Sequence, residues 1–127
     1  MEHALIAMHF HLLLASLMGA CGVGLAALAS HAGEANIAIA AQFLLIHAAG
    51  VLGFTACRKQ QLVHNGIGSW AASVLILGTA LFAADLVIRA RLGTRLFPFA
   101  APLGGGLMIL AWLMAGVSVL LGSKQRG

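Results

Sequence analysis

Residues 37–57, IAIAAQFLLIHAAGVLGFTAC, run for 21 positions without a charged side chain. A helix of that length rises about 30 Å, the thickness of a bilayer's hydrocarbon core. A strand crossing the same core needs only about 10 residues and alternates apolar with polar, which this stretch does not do. Polar boundaries frame it, with Ser30-His31-Ala32-Gly33-Glu34-Ala35-Asn36 before and Arg58-Lys59-Gln60-Gln61 after. It reads as a transmembrane helix. Residues 4–29, 67–88 and 102–121 repeat the pattern, so the expected fold is all-α. It is a single domain of four transmembrane helices in an antiparallel up-down bundle.

Composition supports the same conclusion. Of 127 residues, 61% are hydrophobic and 8% charged, with a mean hydropathy of +1.02. A soluble domain carries about 25% charge, so this chain lacks the polar surface that would keep it in water. The net charge of +4 comes from short basic clusters beside apolar runs, as in membrane-protein loops. No aromatic-interleaved basic surface is present, so no nucleic-acid partner is expected. The first 21 residues have no positive leader region, and their apolar run continues to Leu28; they are expected to be a retained first span, not a signal peptide. Cys21 and Cys57 fall about 20 Å apart in depth on these spans, which argues against a disulfide and for small apolar filler.

Helices associate in lipid by close backbone approach at small residues. Such residues recur four apart as Ser16, Ala20 and Gly24, as Ala49 and Gly53, and as Ala111 and Ala115, with Ser118 and Gly122 beyond. These are the expected packing seams. Four spans put both termini and the second loop on one side, with Arg58, Lys59, Lys124 and Arg126. Loops one and three, with Arg89, Arg91 and Arg95, take the other. The balance leans toward cytoplasmic termini.

The up-down topology also gathers polar residues. The face shared by loops one and three collects His31, Glu34, Gln42, Asp85 and Arg89, the candidate polar cluster. Asp85 lies about one turn inside its span, where a carboxylate needs a partner. Arg89 is four residues on, in the favourable order for a helical pair. Asp85 could handle protons or cations, or it could only lock the helix end. Pro98 and Pro102 bracket a short irregular element, and Pro102 suits the first turn of the fourth helix. Gly104, Gly105 and Gly106 admit close packing; a phosphate loop would need a following Lys-Ser/Thr, which is absent. His47 falls at mid-membrane and should face the interior and hydrogen-bond; a proton relay or an axial ligand is the other use. No His/Cys cluster has metal-ligand spacing, so no metal or other cofactor is expected. Ser16, Ser30, Ser69 and Ser73 lack an evident base and orienter, so no catalytic residue is assigned and an enzyme is not expected.

Several of these stretches occur together in a known pattern. Gly22-Val23-Gly24 leads through small residues to Ser30-His31-Ala32-Gly33. Gln42-Phe43 precedes His47-Ala48. Gly78, Leu81-Phe82 and Asp85-Leu86 are followed by Gly93 and Leu96-Phe97-Pro98. Ala101-Pro102-Leu103-Gly104-Gly105 and Ala111-Trp112 close the series. This resembles the membrane family called domain of unknown function 423, whose eukaryotic members are the transmembrane protein 256 group. The resemblance implies a four-helix protein of the bacterial inner membrane or an organelle, with no assigned activity and no catalytic residues to carry over. Many members have Ser-Gly-Ser where this chain has Ala83-Ala84-Asp85, so Asp85 is not expected to serve the whole family.

Two functional expectations follow. One is a non-enzymatic bundle that binds lipid, a second copy of itself or a membrane-complex partner. The other is a small transporter or channel subunit using His31, Asp85 and Arg89 at one face and His47 at mid-depth.

Overall fold

The computed structural model describes residues 1–124, with side chains to residue 122. Four helices follow in order: α1 (Glu2–Ala32), α2 (Ala35–Lys59), α3 (Asn65–Leu92) and α4 (Ala100–Lys124). No strand occurs among the described residues. Each helix extends two to four residues past the apolar stretch that predicts it at either end. The ends have local causes. Gly33 and Gly93 take left-handed φ values of 66° and 69°, and their amides return to the carbonyls of Ala29 and Arg89, closing α1 and α3 as glycine C-caps do. His64 starts α3 by accepting the Ile67 amide at Nδ1, 3.3 Å away, which satisfies one of the free donors of a helix start.

All four helices are long and apolar enough to cross a membrane. α2 and α3 are the inner pair, with 39% and 44% of their most apolar stretch buried within the protein, against 22% for α1 and for α4. Exposed side chains such as Leu13, Leu17, Ile109, Leu113 and Leu120 would face water at a prohibitive cost, and lipid is their solvent. The chain is an integral membrane protein.

Consecutive helices pack as neighbours, and α1 also touches α3 lightly. Among the described residues α3 is the one helix whose backbone α4 approaches, while in the α2–α3 connection the His64 amide donates to the Ser118 carbonyl of α4 at 2.7 Å. The bundle is open between α1 and α4. The α3–α4 pair is held tightest at two glycines. A Cβ on Gly78 would lie 2.8 Å from the Gly104 carbonyl oxygen, and one on Gly104 would lie 2.7 Å from the Phe82 amide nitrogen. Two cores fill the middle: Met18, Ala40, Leu44, Ala48, Ala83 and Leu86 toward one face, and Ala15, Val51, Leu75, Met108 and Ala111 toward the other.

The expected seams on α1 and α2 need correcting. Ser16, Ala20, Gly24, Ala49 and Gly53 are all exposed, and Gly24 and Gly53 have open space where a Cβ would be. The buried stripe of α1 is instead His11, Ala15, Met18, Gly22 and Ala29, with Gly22 pressed against Leu45. On α4 the expected stripe does pack: Ala111, Ser118 and Gly122 are buried. Helices that are apolar all the way round offer no amphipathic signal to choose a face, and small-residue spacing alone chose wrongly twice.

Candidate functional site

The polar end of the molecule is built around Asp85, which is fully buried on α3. Its Oδ2 accepts from Nη2 of Arg89 at 2.6 Å, the predicted one-turn pair, and its Oδ1 accepts the backbone amide of Leu96 at 2.8 Å. Both carboxylate oxygens are thus used, one along the helix and one across the α3–α4 connection. The turn completes at Phe99, whose φ of 65° is left-handed and costs energy in a side-chain-bearing residue. Phe99 nevertheless lets the chain reverse and accepts the Leu103 amide at 2.9 Å. Pro102 falls in the first turn of α4, where its missing N–H leaves no bond unmade; Pro98 lies in the turn before it.

The remaining members of the predicted cluster separate. Glu34, at the start of α2, meets Arg91 at 3.5 Å. His31 is exposed at the end of α1. Gln42 is exposed beside Ser30, Ala38 and Leu45 on the outer α1/α2 side, a little over two turns into α2 and away from Asp85. Of the three glycines, Gly104 makes the close approach, whereas Gly105 and Gly106 have nothing within 4 Å of a built Cβ. His47 is buried; its Nδ1 donates to the Phe43 carbonyl at 2.8 Å, and the ring lies between Phe43 and Trp112 at centroid distances of 5.6 and 6.2 Å.

The opposite end holds a network that sequence reasoning missed. Arg58, placed by sequence in a loop, is only 1% exposed. It donates through Nη1 to His11 Nδ1 at 2.9 Å and through Nε and Nη2 to Asn65 Oδ1 at 3.2 and 3.1 Å. His11 Nε2 reaches Ser73 Oγ at 2.9 Å. Three helices are tied together there around a guanidinium whose partners are all neutral. The long apolar stem of Arg58 packs on Gly68, within 3.2 Å of a built Cβ. No local sequence signal links positions 11, 58 and 65; only the glycine at 68 hints that something bulky lies over it.

Between α1 and α3 the open packing leaves a groove of about 660 Å³ with apolar walls. Leu17, Cys21 and Leu25 form one wall and Ala80, Ala84 and Ile88 the other, over a floor at Leu44. Smaller spaces lie near Gly50 and Trp112, and near His9, Thr55 and Lys59.

The family described as "Protein of unknown function (DUF423)" matches residues 18–105. The chain belongs to DUF423. The part matched to DUF423 contains the Asp85–Leu96 turn, the Gly78–Gly104 contact and most of both groove walls; His11 lies outside it. No solved structure matches the chain.

Proposed function

We propose that this DUF423 chain is a non-enzymatic bundle of the bacterial inner membrane that takes a membrane lipid into the groove between α1 and α3. The groove carries the proposal: it is wide, apolar and open on the side where the helices would face the bilayer. The two buried charged side chains, Asp85 and Arg58, favour the same view because their bonding is spent on structure. Asp85 holds a helix end and a loop, and Arg58 holds three helices together. A transport path has less support, since His31 and Gln42 stand apart from Asp85, and neither Asp85 nor His47 lines the groove or the smaller spaces beside it. In this reading both termini face the cytoplasm, the side favoured by the loop-charge balance that includes Arg58 and Lys59; Lys124 and Arg126, which share in that balance, lie outside the described side chains. Native mass spectrometry of the full chain from mild detergent tests the proposal. One or more retained phospholipids per chain is the expected result, and the same spectrum reports self-association. A lipid-free spectrum from the mildest detergent that keeps the chain folded would count against it.

A further inference from the structure

We propose that the groove selects an anionic phospholipid, with one acyl chain lying between α1 and α3 and the phosphate at Arg91 and Arg95. This rests on the lipid-binding reading above and adds the headgroup and the leaflet. The groove walls run from Leu14 to Leu25 on α1 and from Ile76 to Ile88 on α3. At about 1.5 Å per residue that is about 17–18 Å, close to one leaflet's share, about 15 Å, of a hydrocarbon core about 30 Å thick. α1 and α3 run parallel, so Leu25 and Ile88 mark the same end, the one nearest the α3–α4 turn. Arg91 is three residues beyond Ile88 and four beyond Val87, both wall residues, so it stands one turn above them on the same side of α3. Its side chain is 46% exposed. Arg95 is exposed in the turn that follows.

The charge at that end is unbalanced toward cations. Arg89, Arg91 and Arg95 face two carboxylates. Asp85 is committed to Arg89 at 2.6 Å, while Glu34 meets Arg91 at the looser distance of 3.5 Å. Arg95 is near enough to Asp85 to act on its carboxylate through space, but it makes no ion pair of its own among the described residues. A phosphate diester at the groove mouth supplies the missing anion, and Arg can bind it in a two-pronged geometry. A zwitterionic lipid brings its own ammonium and gains less.

The test uses the full chain in mild detergent with phosphatidylglycerol and phosphatidylethanolamine of identical acyl chains, each also carrying a photoactivatable acyl group. Native mass spectrometry should show phosphatidylglycerol preferred by about fivefold for each of the two arginines, with crosslinks mapping to residues 17–25 and 80–88. The R91Q/R95Q double variant should lose the preference while still retaining lipid. Equal retention of both lipids, with crosslinks in the groove, would overturn the headgroup assignment and leave lipid binding standing. A preference that survives in R91Q/R95Q would overturn the role of those arginines. Crosslinks elsewhere, or none, would overturn the inference together with the reading it rests on. The first comparison needs only the unmutated chain, so a poorly folding variant does not remove the test.

Discussion

Arg58 donates to Nδ1 of His11 across 2.9 Å, joining the end of α2 to the first third of α1 inside the protein. A guanidinium has donors only, so this Nδ1 offers a lone pair and the ring proton resides on Nε2, which donates to Ser73 Oγ. A buried cation held by neutral acceptors depends on each of them. His11→Leu should destabilise by about 2–3 kcal/mol, the value of a hydrogen bond to a charged group plus the desolvation it leaves exposed. Arg58→Met strands the histidine and should cost about 1–3 kcal/mol. The double variant should cost less than the sum, because the unpaired groups disappear together. Unfolding by SDS titration of the four proteins checks this; strict additivity would show the pair to be uncoupled.

Asp85 separates two jobs by atom. Asp85→Asn keeps an oxygen for the Leu96 amide but gives up the ion pair to Arg89, whereas Asp85→Ala gives up both. Hydrogen exchange at the Leu96 amide should accelerate strongly in Asp85→Ala and only slightly in Asp85→Asn. Stability should fall in the same order, with the alanine variant lower by about 1–2 kcal/mol, as expected for leaving a buried amide without an acceptor. Equal exchange in the two variants would mean that the turn is held by something other than this carboxylate.

The sequence carried the helices well and the helix faces badly. Uninterrupted apolar runs, the polar breaks between them and the Asp85 to Arg89 spacing are local signals, read within one turn or one span. What failed required knowing which side of a uniformly apolar helix points inward. Gln42 was grouped with Asp85 because they share a depth, yet the two face different neighbours. Arg58 looked like a loop base because it ends an apolar run, although its acceptors come from 47 positions earlier and 7 later. The groove was invisible for the same reason, since it depends on which faces α1 and α3 turn toward each other over Leu44 of α2.

The glycines of α4 offer a sharp contrast between neighbours. Gly104→Ala would place a carbon 2.7 Å from backbone atoms of α3, and Gly78→Ala would do the same from the other side at 2.8 Å. Neither backbone can move without parting the helices, so each should cost about 1–3 kcal/mol or more, as overpacking does. Gly105→Ala and Gly106→Ala meet open space and replace a poor helix former, so they should be neutral or stabilising by up to about 1 kcal/mol. Thermal unfolding in detergent distinguishes the sets. A large loss at Gly106 would instead point to a partner pressed on that face.

His47 tests whether mid-membrane polarity here is structural. Its Nδ1–H donates to the Phe43 carbonyl one turn back, an acceptor that the α-helical backbone also uses. Removing the imidazole therefore orphans no backbone group. The ring's other role is to fill space between Phe43 and Trp112, which an aromatic hydrocarbon can do without the cost of burying a polar ring. His47→Phe should stay within about 1 kcal/mol of the parent, while His47→Ala should lose about 3 kcal/mol through the cavity it leaves. Lipid retention should be unchanged in His47→Phe, because His47 is not among the groove walls. A phenylalanine variant that folds as stably as the parent yet loses lipid or partner binding would show that the imidazole acts chemically, and it would reopen the relay or ligand role for this residue.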